Sequence, residues 1–459
     1  MRTLGIDLAT RAAHRAIIAN ERGQFISPVL KFRTRRADLE RLDARLRQGM
    51  PPAAPVRVVM EATDIVWYPI AVFFEQRGAT VYVVHPRLAA DLGRFYHRHA
   101  RSDRLAAETL ARLPQVIPEK LYPWVFSGAD YMALQRGCRE LERLTGRISA
   151  SKNRLQSTDH LGWPDLHRRV FSTPASPAAR WFRDHYYVPR RVVTAGRAGL
   201  QQAWRAAPSY TGDEDWIAPL VTLAQELTWL YGDADAFVDY EALAAAVRRE
   251  QRRLRELEAD AHAVRRHVTR PLYRKLHPSR NLESLKGVGE NGAAVYVGFI
   301  GRPDRFPNNQ AFRGWHGLIP RSAQSGEQDS KGLAITQAGP NPVKKFGYVN
   351  ADVARHWDPQ IAAIYYDQMV NKGKHHTQAV CVCATHLLDR VRAILLADRP
   401  YELRDVDGTP VTGPEARRIV IERYVVPDDV RRRNNKRVRH ARRQRRAERA
   451  YAQRRKRAS

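Results

Sequence analysis

Apolar positions in the first 115 residues switch between two periods. Leu4 to Leu8 is a short apolar run carrying one Asp, and Arg15 to Ala19 is a second run of strand length. Glu21-Arg22-Gly23 reads as a turn leading to a third strand within Gln24 to Phe32. Arg36 to Arg47 has helical spacing. Val56 to Met60 is a compact apolar strand ending in Glu61. Val66 to Arg77 is helical, Ala79 to Val84 extended, and Asp103 to Leu113 an amphipathic helix. Farther on, Leu134, Cys138, Leu141, Ile148 and Leu155 recur near 3.5-residue spacing over residues 130–160. Leu243, Val247, Leu254, Leu257, Ala261 and Val264 repeat that pattern over residues 240–268. These seams predict two long helices, either an antiparallel coiled-coil arm or dimerisation helix, or ordinary helical core. Residues 161–235 between them are rich in Trp, Tyr and Pro and predict an inserted helical subdomain.

Residues 280–396 read as a second compact unit. It opens with Leu285-Lys286-Gly287-Val288-Gly289 and an apolar helix, Gly292 to Ile300, and closes with helix Thr377 to Leu396. Gly, Pro, Ser and Lys make residues 313–345 loop-like. Glu402 to Val426 holds strand-like pieces and a turn at Asp407-Gly408. In the first region, three strands followed by helix, strand, helix, strand and helix is the order of an RNase H-like α/β sheet.

The balance of charge changes the picture. The 459 residues carry 78 Lys or Arg against 48 Asp or Glu, a net charge of +30. That excess implies a polyanion partner, nucleic acid or an anionic membrane surface. Basic residues spread over folded regions and the lack of an amphipathic anchor disfavour the membrane. No apolar run approaches the roughly 20 residues of a membrane span, and Met1 to Asp7 reads as a strand and not a signal peptide. Three cysteines are too few for a disulfide framework, so the chain reads as intracellular. Cys381 and Cys383, two apart on one helix, point their thiols to different faces, and we assign no zinc there. From Arg431 to Arg457 there are 15 Lys or Arg and one acid, Glu448. This tail is a solvated charged arm, an arm that neutralises phosphates, or both.

Two carboxylates stand out. Asp7 lies within an apolar strand and Glu61 ends another. A lone carboxylate is costly in such a place, and less so where acids converge on a hard divalent cation such as Mg²⁺. Two such cations about 4 Å apart can activate a nucleophile and stabilise a leaving oxygen in phosphoryl transfer. Asp103 opens the helix that would pack beside these strands. It reads equally as a metal ligand or as part of the Ser102-Asp103 helix cap.

Gly5-Ile6-Asp7, Met60-Glu61-Ala62-Thr63, His85-Pro86 and Ser102-Asp103-Arg104 resemble the N-terminal domain of the DEDD transposases, the bridge-RNA-guided recombinases of the insertion sequence 110 family. The resemblance runs over residues 1–395. It implies an N-terminal RNase H-like domain similar to Holliday-junction resolvases (1–125), a coiled-coil arm with a helical insertion (126–270) and a mainly helical, serine-bearing transposase domain (271–396). A C-terminal extension with the basic tail (397–459) lies outside it. The family's fourth acid normally follows the third by three residues. Here that position is Ala106, and Glu108 is displaced well around the helix. The resemblance therefore implies metal ligation by Asp7, Glu61 and Asp103, with weakened or absent metal-dependent chemistry.

Gly317-Leu318-Ile319-Pro320-Arg321-Ser322-Ala323-Gln324-Ser325-Gly326 resembles the family's second motif. On its own a Ser-Gly pair is usually a turn. The resemblance makes Ser325 the nucleophile that forms a 5′-phosphoserine link to DNA, with Ser322 and Ser330 as internal controls. Arg321, Lys331, Lys344 and Lys345 flank it, as solvated charges or as phosphate contacts. Lys286, Gly287 and Gly289 form either a phosphate-binding helix–hairpin–helix turn or a plain helix–helix turn. The implied function is an RNA-guided transposase in the prokaryotic cytoplasm, associated with the nucleoid. Its implied partners are a structured bridge RNA, target and donor duplex DNA, and further copies of itself as a dimer or tetramer. The rival readings are a metal-dependent junction nuclease and a non-cleaving RNA/DNA-binding protein.

Overall fold

The computed structural model describes residues 1–436, apart from residues 53, 97–101, 233–236, 321–323, 326–327, 330–334 and 337. For residues 87, 120, 324, 325, 328 and 329 it describes backbone only. The chain forms two compact units, Met1–Phe126 and Ser127–Ser459.

The first unit is built on a five-stranded sheet. Its strands are β1 (Arg2–Asp7), β2 (His14–Asn20), β3 (Leu30–Phe32), β4 (Val56–Glu61) and β5 (Thr80–Val84). Their order is β3-β2-β1-β4-β5, with β1 antiparallel to β2 and parallel to β4. Helices α1 (Arg36–Arg47) and α2 (Trp67–Glu75) cover one face, where Leu39, Leu42, Ile70 and Phe74 pack on Ile6 and Met60. Helices α3 (Pro86–Tyr96) and α4 (Asp103–Val116) cover the other. Helix α4 lies unusually close to β1. A Cβ on Gly5 would meet Ala107 O and Ala111 N at 2.3 Å each, so only glycine allows that approach.

The expected elements of this unit are present, with two differences. The third strand is only three residues long, and Phe25 touches Ala19 through an isolated bridge. Pro28 has no N–H to give a ladder, and Ser27 Oγ instead accepts from Ile18 N at 3.0 Å. Helix α3 was not expected, although Pro86 at its first position is a helix-start signal.

Among its described residues, the regular structure of the second unit is helical apart from one short hairpin. Long helix α5 (Ala129–Gly162) is followed by α6 (Leu166–Arg169), α7 (Pro177–His185), α8 (Pro189–Arg205, bent at Gly196), α9 (Ile217–Tyr231) and α10 (Tyr240–Val264). Helices α5 and α10 run antiparallel. Ser151 donates to Glu250 at 2.6 Å, and Tyr240 donates to the Gly162 carbonyl at 2.7 Å. The two apolar seams therefore face each other within one chain. Helices α6 to α9 are the expected insertion, around Trp163, Phe182, Trp204 and Trp216. Fully buried Arg183 is held there by Asp159, which also accepts from Tyr187 at 3.1 Å. The expected helix over 240–268 stops being α-helical at Arg265, where a π-turn (Arg265–Thr269) leads into α11 (Arg270–Leu276).

Buried helix α12 (Glu290–Ile300) then packs with α13 (Asn309–His316), α14 (Asn341–Ala354), α15 (Pro359–Tyr366) and α16 (His376–Ala397). The loop expected over 313–345 is thus helical at both ends. Between them lie short strands β6 (Gln324–Ser325) and β7 (Gln328–Asp329). The C-terminal extension holds α17 (Gly413–Arg423) where strand-like pieces were expected. Thr412 and Glu415 form a reciprocal cap with Pro414 in the first turn, and that local chemistry outweighs the β-branched residues. The expected turn at Asp407-Gly408 is present, closed by an Arg404–Pro410 bridge. Among the described residues, no helix is long and apolar enough to cross a membrane.

Candidate active site

Asp7 and Glu61 are the last residues of parallel neighbours β1 and β4, and follow directly on the paired Ile6 and Met60. Residues in register on parallel strands share a face. Both side chains therefore emerge on the α3/α4 side, at the carboxyl edge of the sheet. Because Gly5 lets α4 settle on β1, the first turns of α4 come down beside that edge. The result is a cleft of about 550 Å³ lined by Asp7, Glu61, Asp103 and Ala106, with Arg94 and Thr109 also in its wall. The three acids named from the sequence, and the departed fourth position, therefore share one cleft.

Their electrostatics are strained. Burial pushes the Asp7 carboxyl up to about 6, and the neighbouring Asp103 and Glu61 add to the shift. Arg15 works against it. It pairs with Asp7 in the β1–β2 register, and its Nε lies 2.9 Å from an Asp103 carboxylate oxygen. Ser102, and not Asp103, is the helix cap, accepting from Leu105 N at 3.3 Å. Asp103 is left free to face the cleft and Arg15. Glu108 gives no substitute for the missing acid: it is buried, bound to Arg104 at 2.8 Å, and outside the cleft lining. Among the described residues, no three His, Cys, Asp or Glu side chains stand close enough together to hold a metal ion. The donor set still suits a hard cation. Asp7 and Glu61 offer carboxylate oxygens whose mutual repulsion a cation would relieve, while Asp103 is held by Arg15. Sequence reading missed Arg15. The antiparallel hairpin turned over residues 8–13, between the first two apolar runs, was the signal that could have set it opposite Asp7.

Ser325 is in the backbone of β6, paired with Gln328 of β7. Arg321, Lys331, Ser322 and Ser330 lie outside the described residues. The root of this hairpin is well fixed. Pro320 bridges Ile335, and Thr336 N donates to Ile319 O at 3.0 Å. Leu318 N donates to Nδ1 of fully buried His316 at 3.2 Å, and burial drops that imidazole to about 4. Lys344 Nζ donates to Ala338 O at 2.8 Å, which ties it to the root, and Lys345 pairs with Glu142 at 3.6 Å. Gly339 is required where it is, since a Cβ would stand 2.1 Å from Trp315 O.

In the Lys286-Gly287-Val288-Gly289 turn, Gly287 has φ +87° and packs its Cα face on α14, where a Cβ would meet Asn350 O at 2.4 Å. Gly289 precedes α12 and is exposed, as is Lys286.

Comparison with known proteins bears on both regions. Residues 4–161 match the family model of the IS110 DEDD transposases, described as "Transposase", and residues 279–366 match the "Transposase IS116/IS110/IS902 family". Together these cover more than half of the chain. The chain belongs to the IS110 family of transposases. It is 26% identical over 262 residues to the "Insertion element IS110 uncharacterized 43.6 kDa protein" of Streptomyces coelicolor. That alignment covers 57% of this chain and 62% of the relative, so the chain spans about three fifths of that relative's length. The first family match holds the carboxylate cleft and the second holds the serine hairpin. Residues 162–278, with the helical insertion, fall outside both.

Proposed function

We propose that this chain is an RNA-guided DNA recombinase that moves an insertion sequence by strand exchange through a 5′-phosphoserine intermediate. The observation that carries the reading is the shared cleft of Asp7, Glu61 and Asp103, at the edge of a sheet whose strand order is the one an RNase H-like fold requires. Asp7 and Glu61 would hold Mg²⁺, with Asp103 joining once released from Arg15. Bound there, Mg²⁺ would polarise the scissile phosphate and stabilise charge on the leaving oxygen. Ser325 Oγ would attack phosphorus. The Oγ–P bond would form and the P–O3′ bond break; the serine proton would pass to a carboxylate of the cleft, and the 3′ oxygen would leave as an alkoxide that takes a proton from water to become the 3′ hydroxyl. The carboxylate cleft that assists would come from another subunit, as the family's composite site implies, which calls for a dimer or tetramer. A bridge RNA would supply sequence by pairing with target and donor DNA, while the protein reads backbone and shape. Lys286, Gly287 and Gly289 are the proposed phosphate-binding turn, with Arg321, Lys331 and Lys345 as backbone contacts and Lys344 as a brace for the hairpin root. The α5–α10 pair is the proposed coiled-coil arm. The net charge of +30 suits an RNA and two duplexes bound together. All of this would take place beside the nucleoid.

The test is a covalent-adduct assay with the RNA encoded beside the gene, matching target DNA and Mg²⁺. Three proteins are compared: this chain, Ala106→Asp, and Ala106→Asp combined with Ser325→Ala. A protein–DNA band on a denaturing gel that grows with Ala106→Asp and vanishes with Ser325→Ala is the expected result. Free cleavage products that persist without Ser325 would replace this reading with a junction nuclease. Tight, salt-sensitive binding with no cleavage by any variant would replace it with a binding protein.

A further inference from the structure

The strands of the first unit set four charges in a row. Lys31, Arg15 and Asp7 stand opposite one another across β3, β2 and β1, and Glu61 ends the next strand, β4. Directly opposed residues on neighbouring strands share a face, with the strands about 4.8 Å apart. The row therefore runs basic, basic, acidic, acidic across the sheet and into the carboxylate cleft. Like charges set opposite each other are destabilising, so the Lys31–Arg15 pair has a cost that an anion laid over both would remove. Lys31 is exposed and forms no ion pair among the described residues. Arg15 commits only Nε to Asp103, at 2.9 Å, and both of its Nη groups lack a partner among the described residues. The arginines of the neighbouring helices differ. Arg94 pairs with Asp91 and Arg104 with Glu108, each within its own helix and with an acid outside the cleft lining. Among the described residues, Arg15 is thus the one cation in an ion pair with an acid of the cleft.

That contact is weak enough to exchange. The Arg15 side chain is 36% exposed and that of Asp103 61%, so water and salt screen the pair. Exposed pairs of this kind shift an equilibrium by no more than about 5-fold. Each partner has a stronger alternative. A carboxylate oxygen is a good ligand for a hard divalent cation. A guanidinium fits two phosphate oxygens through paired N–H groups. We propose that Arg15 is an exchangeable counter-ion: it holds Asp103 in the free protein, and it passes to a DNA phosphate lying across Arg15 and Lys31 when a divalent cation takes Asp103. Each ligand frees the group that the other needs, so cation and DNA tighten each other's binding by the same factor. The inference rests on the cation site of the function proposed above and on no step of Ser325.

The experiment measures affinity for a short fluorescein-labelled DNA duplex by anisotropy, in chelator and in Mg²⁺ at matched ionic strength. All proteins are full length and carry Ser325→Ala, so no adduct forms, and far-ultraviolet dichroism checks folding. The quantity compared is the ratio of the two affinities, because the general competition of Mg²⁺ for DNA phosphates then cancels between proteins. Arg15→Gln should lower that ratio about 3- to 5-fold, the most that an exposed pair supplies. The same variant should bind Mg²⁺ alone several-fold more tightly. Arg15→Lys keeps the charge and should keep most of the ratio. Lys31→Gln removes a phosphate contact that exchanges with no acid, so it should weaken binding alike in both conditions and leave the ratio unchanged. An unchanged ratio in Arg15→Gln, or an equal fall in Lys31→Gln, overturns the proposal. Absence of Mg²⁺ binding by both the parent and Arg15→Gln overturns it together with the cation site. A missing adduct in the covalent-adduct assay, with the ratios as expected here, counts against the serine step alone.

Discussion

Replacing Asp7 by Asn should make the cation-free first unit more stable at neutral pH, although it removes a site residue. In the folded chain Asp7 titrates near 6, against an ordinary value of 3.8. Between those values the folded state holds a proton that the unfolded state has released. Stability from this group is therefore full below about pH 4, falls as pH rises to 6, and stays low above. The gap of about 2 pH units corresponds to roughly 3 kcal/mol at 1.36 kcal/mol per unit. Asp7 is only partly buried, so solvent screening leaves about 1–2 kcal/mol. The asparagine cannot ionise and escapes that loss. The assay is hydrogen exchange of β1, β4 and α4 amides in the full-length chain with chelator present, at pH 4.5 and 7.5. Comparison with the parent at each pH cancels the titration of the other carboxylates. Asp7→Asn should slow exchange about 5- to 30-fold relative to the parent at pH 7.5 and have little effect at pH 4.5. Equal or faster exchange at pH 7.5 would refute the claim that Asp7 is held charged against its surroundings.

Other changes have expected outcomes of their own. Arg15→Gln removes the cation that holds Asp103, and calorimetry should show Mg²⁺ binding several-fold tighter. Gly5→Ala drives a methyl group into the α4 backbone and should lower first-unit stability by about 3 kcal/mol, read by urea unfolding. Arg183→Ala strands the buried Asp159 and should destabilise the insertion by about 3–5 kcal/mol, seen as lost exchange protection in α5 and α7. Deleting residues 437–459 keeps the anchor at Asn434, whose amide donates to Met369 O at 2.8 Å. If half of the 11 basic residues removed touch phosphate, the slope of log affinity against log salt should shrink by about 5. An unchanged slope would count against phosphate contact by that segment.

Much of the protein is legible along the chain because its signals are local. The apolar runs at Leu4, Val56 and Val81 mark strands, and the seams of α5 and α10 mark long helices, since period alone separates the two. Local cues also existed where the reading went astray. Pro28 shortens β3, Pro86 starts α3, and the Thr412–Glu415 cap makes α17 a helix. Asp7 and Glu61 could be named in advance because a carboxylate in or at the end of an apolar strand is costly enough to need a reason, and Asp103 because Ser102-Asp103-Arg104 resembles the family's motif.

The sequence determined the order of most elements, the excess of positive charge and which carboxylates stand in or at the end of apolar strands. These are properties of composition and short-range period. The tertiary structure alone decided that the Gly5 gap lowers α4 onto β1, that Arg15 reaches Asp103, and that Glu108 turns to Arg104. It also decided that Lys344 braces the serine hairpin. The approach of α4 to Gly5 and the reach of Arg15 to Asp103 bring together residues about 90 to 100 positions apart, and no local period specifies that. It is set when packed helices and strands bring distant residues within a few ångströms of one another.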